Sequence, residues 1–252
     1  MPFDIKKRWN SYTEPALPLK YAIWYLLSNL GSGFHRLGTR TFAMWYSSLG
    51  HHFARFEEQH TPVPRLVGMA QGAVLDVGPG PGNQLSRFNP SKIIHVYGIE
   101  PNDLLLGVLR ERLNEYADLQ KVYTPINASL EDDATLCSYG ISEGSIDTLV
   151  CMQVLCSVSD PMTASKRLYK LLKPGGQLLF WEHQSSKDTT TRVIQRFWDL
   201  IWSPLIGNCH LASEAEKAIM SAGEWEIQEL GYDESQPYNV MPRVWGHFVK
   251  PQ

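Results

Sequence analysis

The sequence predicts an α/β protein: a doubly wound, seven-stranded, mostly parallel sheet with a C-terminal antiparallel hairpin, preceded by a helical N-terminal extension. Three observations predict it. From residue 66 onward, apolar runs of strand length alternate with amphipathic helical stretches, the signature of βαβ units. The first of these runs ends in a glycine-rich turn, "AVLDVGPGPGNQL" (73–85). The last two strand-like runs, "EWEIQELGYDE" and "PRVWGHFVKP", have only a loop between them, and consecutive strands without an intervening helix pair antiparallel. The 252 residues suffice for one large α/β domain with a full core. A hydrophobic content of 43% and an aromatic content of 11% place the chain among globular proteins. The net charge of −3 comes with no block of like charge, so no nucleic-acid partner is expected.

In chain order, "LPLKYAIWYLLSNL" (Leu17–Leu30) comes first. It is strongly apolar, but shorter than the roughly 20 apolar residues a membrane span needs, and Lys20 interrupts it. Asp4 and Glu14 spoil the basic leader of a signal peptide. The segment reads as a helix that packs on the domain or lies along a membrane surface. Next, Phe42, Trp45, Tyr46, Leu49, Phe53 and Phe56 recur at helical spacing, a stripe suited to core packing or to closing over a ligand. "TPVPRL" (Thr61–Leu66) should break this helix and lead into the main domain. Residues 1–65 are thus expected as a helical extension, a lid or membrane-surface segment, and 66–252 as the main domain.

Within that domain, "AVLDVG" and "IIHVYGIEP" read as strands, "LLLGVLRERLNEY" as a helix and "KVYTPI" as a weak third strand. "SIDTLVCMQVL" is a fourth, buried strand, "PMTASKRLYKLL" an amphipathic helix, "KPGG" a helix stop and "QLLFWEH" a fifth strand. Residues from about 185 to 222 form an insertion before the terminal hairpin. The cysteines Cys137, Cys151, Cys156 and Cys209 make no CxxC pair and no metal-ligand spacing, which fits free thiols in a reducing, cytoplasmic setting. No metal is expected.

In a doubly wound sheet the ligand binds beyond the carboxyl ends of the strands, so the glycine turn marks the site. Its helix-opening amides and close backbone approach suit a nucleotide. The dinucleotide fingerprint G-x-G-x-x-G fails at its last position, occupied by Asn83, and there is no P-loop. The actual pattern is D-x-G-x-G-x-G, formed by Asp76, Gly78, Gly80 and Gly82. Together with the acid of "GIEPN" and with "LLKPGGQLLFWEH" followed by the hairpin, it resembles the class I S-adenosylmethionine (SAM)-dependent methyltransferases over about residues 70–250. "VCMQVLCSV", "KPGGQLLFWEH" and "RVWGHFVK" look further like the membrane-associated thiol methyltransferases of animals and related small-molecule enzymes.

The resemblance implies SAM as cofactor and S-adenosylhomocysteine as product. It implies that Gly78–Gly82, with Asn83 after it, passes under the methionine part, and that Asp76 orients the turn and the SAM ammonium. Glu100 would accept both ribose hydroxyls, with Pro101 and Asn102 flanking the ribose or adenine edge. Asn127, Ala128 and Ser129 would meet adenine, Asn127 standing where the family commonly has an acid. Cys151 and Gln153, after the fourth strand, would lie near the ammonium.

Methyl transfer from a sulfonium needs alignment and enclosure rather than a metal or a covalent nucleophile. An oxygen acceptor would profit from a base, for which His183 is the candidate, with Glu182 orienting it; a thiol, with a pKa of about 8.5, needs little help. In the insertion, Trp198 and Trp202 share one helical face and Phe197 and Ile201 the next, with Pro204 ending the helix. This helix reads as part of a lid over an apolar acceptor or as plain core; Trp45 and His210 are further acceptor-side candidates. The expected function is methyl transfer to oxygen or sulfur of a small, largely apolar molecule such as a secondary metabolite, with a peripheral membrane contact through 17–56. The alternatives are a SAM-binding protein that catalyses cyclisation or isomerisation, and a membrane-surface binding module. Oligomeric state is not predicted.

Overall fold

The computed structural model describes residues 5–28, 37–233 and 237–252. Asn29 and Leu30, the end of the first apolar segment, lie outside the described residues, as does Glu234 at the end of "EWEIQELGYDE". The chain opens with helices α1 (Ile5–Thr13), α2 (Ala16–Ser28), α3 (Leu37–His60) and α4 (Val63–Val67). "TPVPRL" therefore interrupts the helix only at Thr61–Pro62 and then coils again as α4, because proline is tolerated in a first helical turn.

The main sheet contains β1 (Gly72–Val77), β2 (Ile93–Ile99), β3 (Tyr123–Ile126), β4 (Ile146–Met152), β5 (Leu172–His183), β6 (Glu226–Tyr232) and β7 (Arg243–Val249). Their spatial order is β3-β2-β1-β4-β5-β7-β6. The first five are parallel, while β7 runs antiparallel to both β5 and β6, as the missing helix before it requires. The connecting helices are α5 (Asp103–Leu113), α6 (Ala117–Gln120), α7 (Asp133–Ser138), α8 (Pro161–Leu171), α9 (Thr189–Leu205) and α10 (Ala215–Met220). Alternate residues of β1 serve opposite faces. Val74 packs with Leu66 of α4 and Leu106 and Leu109 of α5. Leu75 and Val77 pack with Leu168 of α8 and Ile219 of α10. A third cluster joins Leu19 and Ala22 of α2 and Trp45 of α3 to Trp202 of α9 and Ile206 just after it.

The N-terminal helices are tied down by specific bonds. The Trp198 indole N–H donates to Tyr12 O at 2.8 Å, Arg8 pairs with Asp188 at 3.0 Å, and Val240 N donates to Ser11 Oγ at 3.1 Å. Glu57 on α3 is buried against Arg87 and accepts from Gln84. No described helix is long and apolar enough to cross a membrane.

Candidate active site

Parallel pairing sets Val77 level with Ile99 on one side and with Cys151 on the other. The chain therefore leaves β1, β2 and β4 at one edge of the sheet, and a cavity of about 620 Å³ opens there. Its floor includes Gly78, Gly80, Glu100, Pro101 and Asn102. Its far wall comes from α3 and from the segment around α9.

The glycine turn is shaped by backbone conformation. Gly78 and Gly80 have φ of 60° and 56°, the left-handed region that glycine alone enters freely, and a Cβ would lie 3.0 Å from Val154 and 3.1 Å from Tyr46 respectively. The glycine amides, expected as donors to a ligand, are already used: Gly78 N donates to Ile99 O, Gly80 N to Glu100 Oε2 and Gly82 N to Pro79 O. The α-helix expected after the turn is also absent. Leu85–Arg87 forms a single 3-10 turn, so the glycine turn does not itself open a long helix toward the cavity. The turn contributes shape rather than free donors.

Glu100 organises this end. Its Oε1 accepts Asn102 N at 2.8 Å and its Oε2 accepts Gly80 N at 3.0 Å. Each oxygen keeps a lone pair for a donor in the cavity. Burial raises its carboxyl above the ordinary range, and the two amides pull it back. Asn102 caps α5 by accepting from Leu104 N and Leu105 N.

Asp76 lies beneath the turn and does not line the cavity. Its Oδ2 accepts the Tyr123 hydroxyl at 2.8 Å, across a gap kept open by Gly98, where a Cβ would collide with that hydroxyl. Burial pushes its carboxyl up to about 7; the Tyr123 bond lowers it and the Glu100 charge raises it. A carboxyl protonated in the native state and ionised in the unfolded one stabilises fully below its unfolded pKa of about 3.8, and that contribution is lost as pH rises through about 7. Wild type should lose about 2–4 kcal/mol of stability from this group between pH 4 and 8. Asp76→Asn should show a correspondingly flatter profile by urea unfolding, and an unchanged profile would refute this assignment.

At the end of β4, Gln153 adopts φ 61°, an unusual value for a non-glycine residue, and lines the cavity. The turn that follows is held by Glu182, which is fully buried on β5 and accepts Val154 N at 2.8 Å, Leu155 N at 3.0 Å and Cys156 N at 3.3 Å. Cys151 Sγ, buried in the core, adds a fourth contact at 3.5 Å. Burial pushes the Glu182 carboxyl up to about 7 against these donors. Glu182 thus positions the β4 turn instead of touching a reactant. His183 does line the cavity, yet its Nε2 meets the Gln153 amide at 3.2 Å and its Nδ1 meets Cys209 Sγ at 3.2 Å. Cys156 Sγ lies 3.5 Å from Cys209 Sγ. The Cys156 thiol beside it, burial notwithstanding, holds the Cys209 thiol well below its ordinary range, aided by the His183 ring.

The acceptor side is aromatic. Phe42, Tyr46 and Phe53 of α3 form a mutually packed group, Phe42 and Tyr46 stacked at 5.3 Å. Trp45 and Trp202 line the same space, and the buried Trp45 indole N–H has no hydrogen-bond partner there. Arg243, with its guanidinium 4.8 Å from the Trp181 ring centroid, closes one side. Sequence reasoning missed Arg243, whose only cue was a basic residue opening the last strand; Cys209 belongs to the polar loop Gly207–His210, expected on the acceptor side through His210 rather than through its cysteine.

Several expected site residues lie elsewhere. Gly82 and Asn83 are buried beside the cavity without lining it; Asn83 accepts from Arg112 at 3.0 Å and donates to the Tyr46 hydroxyl at 3.3 Å, tying α3 to the turn. Asn127 is exposed and donates to Asp103, Ala128 is core, and Ser129 does not line the cavity. Cys151 is core as well. Trp198 anchors α1 and Phe197 and Ile201 face outward, so of the four aromatic and apolar candidates on that helix Trp202 serves the wall, beside Ser203 and Pro204. His210 sits near Ser203 and Asp199, outside the cavity.

Comparison with known proteins agrees with this arrangement. The family described as Methyltransferase domain matches residues 51–228. The thiol S-methyltransferase TMT1B of Rattus norvegicus is 29% identical over 186 residues, 70% of each chain. The N-methyltransferase NodS from Bradyrhizobium japonicum WM9, solved with S-adenosyl-L-homocysteine, superposes with a TM-score of 0.55 at 17% identity, over 78% of this chain and 87% of its own. The [4+2]-cyclase SpnF superposes at 0.58 with 18% identity, over 79% and 80%. At such identities the structural matches establish the fold. The left-handed glycine turn, the Glu100 carboxylate facing the cavity and the family match together lead to one conclusion: this chain belongs to the methyltransferase-domain family and is a class I SAM-dependent methyltransferase.

Proposed function

We propose that the enzyme methylates the sulfur of a small, largely apolar thiol. The observation that carries this reading is the acceptor half of the cavity: its walls are aromatic, and both ring nitrogens of its histidine are already engaged. An oxygen acceptor gains about 10²–10⁴ from a positioned base, whereas a thiol ionises readily without one. The thiol S-methyltransferase similarity supports the same acceptor. SAM, when bound, supplies a methyl group already activated by its sulfonium. Gly78, Gly80 and Glu100 would hold it, with Asn102 and Gln153 beside it, and Trp202 and the α3 aromatics would exclude water. Asn127, Ala128 and Ser129 would contribute only through the shape of the β3 end. We further propose a membrane-surface site for the reaction. Leu17, Tyr21, Trp24 and Leu27 recur along one exposed face of α2, and Val193, Phe197, Leu200 and Ile201 along one of α9, the helix packed against it. Such faces suit an interfacial helix pair delivering an apolar acceptor.

Incubation with SAM and matched apolar thiols and phenols tests the acceptor. Thioether formation with S-adenosylhomocysteine release should exceed phenol methylation by about 10²-fold; preference for the phenol would reject sulfur. Vesicles containing anionic lipid should sediment wild type but leave a Trp24→Glu/Phe197→Glu variant in solution, and equal sedimentation would reject the surface assignment.

A further inference from the structure

Cys156, His183 and Cys209 come from three separate places: the turn after β4, the end of β5 and the loop after α9. The fold brings one ligating atom of each within 4.8 Å of the others. The two sulfurs are 3.5 Å apart, and Cys209 Sγ is 3.2 Å from His183 Nδ1. A tetrahedral zinc ion, with bonds of about 2.3 Å to sulfur and about 2.0 Å to nitrogen, spaces its ligands about 3.6–3.8 Å apart. These two separations are a few tenths of an ångström tighter, within reach of small side-chain rotations.

The surroundings form a built site. All three side chains are buried. His210 N donates to Cys156 O at 2.8 Å and Asn208 Nδ2 to Ser157 O at 2.9 Å, so the loop bearing Cys209 is stitched to the turn bearing Cys156. Glu182 holds Cys156 N from the other side. A His183 that ligates through Nδ1 carries its proton on Nε2, where the Gln153 amide, turned to present its oxygen, accepts it. Cys209 and His183 line the cavity and Cys156 lies behind them, so the open fourth vertex faces the acceptor space.

We propose that Cys156, His183 and Cys209 bind a zinc ion whose open position takes the sulfur of the acceptor. Three protein ligands and one open position is the arrangement of catalytic zinc, and a coordinated thiol is held as thiolate. On coordination the acceptor's S–H proton leaves to solvent. A lone pair of that thiolate then forms the new S–CH3 bond as the methyl–sulfonium bond breaks, its electron pair remaining on the cofactor's sulfur. The thioether product, a neutral and weaker ligand, departs; the zinc changes neither charge nor oxidation state. The fourth ligand rests on the thiol reading given above, while the three-residue site does not.

The full chain, purified with zinc and desalted, should retain about one zinc ion per chain. Cys209→Ser and His183→Ala should lower that content about tenfold or more, while Cys137→Ser, which alters the exposed thiol, keeps it. Wild type stripped by chelator and loaded with Co²⁺ should show a near-ultraviolet sulfur-to-cobalt charge-transfer band, and an apolar thiol, but not the matching alcohol, should shift its visible spectrum. Because this spectrum is read on wild type, misfolding of a variant does not decide the matter. Folded wild type lacking the band, or a metal-free Cys156–Cys209 disulfide, would overturn the site. Zinc retained at these residues with no thiol methylated would support the site and overturn the acceptor reading. Full-rate thiol methylation by zinc-free enzyme would overturn the metal's part in the reaction.

Discussion

Glu100→Ala should weaken SAM binding by about 10²–10⁴-fold, the largest effect of any single change at the cofactor end. Each Glu100 oxygen already accepts one backbone N–H, from Asn102 and from Gly80, and each keeps a lone pair toward the cavity. Two hydroxyl donors placed there gain two hydrogen bonds to a charged acceptor, each of about 1.5–3 kcal/mol, and alanine forfeits both. It also releases the Gly80 amide, loosening the turn. Glu100→Gln keeps one acceptor oxygen and should fall between wild type and alanine. Calorimetric titration with SAM reads the effect, with thermal unfolding alongside to confirm that the variants fold. An alanine variant binding within threefold of wild type would show that the carboxylate does not hold the cofactor.

Glu182→Gln should produce the largest stability loss that still leaves a folded enzyme. Three consecutive backbone amides, of Val154, Leu155 and Cys156, converge on this carboxylate. Glutamine turns an NH2 group toward at least one of them, and an unsatisfied buried donor costs about 1–3 kcal/mol. The midpoint of thermal unfolding should drop by about 3–10 °C. Methyl transfer should fall about 10–100-fold, because the turn that shifts carries Gln153, Val154 and Ser157 into the cavity. The sign with pH is also set. The Glu182 carboxyl is raised to about 7 by burial, so its contribution is fully present below about 4.5 and lost as pH rises through about 7. The stability gap between wild type and Glu182→Gln should therefore be widest in mild acid and narrow above neutrality. A gap independent of pH would mean that Glu182 is ionised throughout, and an unchanged midpoint would mean that the amides find other partners.

The sheet, the glycine turn and Glu100 were legible because their signals are local. Strand runs, the alternation of Gly78, Gly80 and Gly82 with prolines, and an acid two residues before a helix cap all lie within a few positions of one another. The same locality misled in three places. The Gly78 and Gly80 amides looked free, but their partners Ile99 O and Glu100 Oε2 come from the end of the neighbouring strand and the residue after it. Asn83 looked like a ligand contact, yet Tyr46 and Arg112 claim it from α3 and α5. Trp198 and His210 looked like acceptor contacts, and helix docking turned one toward Tyr12 and the other outside the cavity. The notion of a helix following the turn failed because Gly82–Arg87 folds into tight turns instead.

By itself, the sequence determined the strand and helix pattern, the place of the glycine turn and the carboxylate that lies beside it, since periodicity, turn chemistry and strand-end position act over short stretches of chain. Only the tertiary structure decided which polar groups were left for a ligand, that Glu182 braces a turn, and that Cys156, His183 and Cys209 meet. Those outcomes depend on register between strands and on how α3 and α9 dock across the sheet edge, where residues far apart in the chain, such as Cys156 and Cys209, become neighbours.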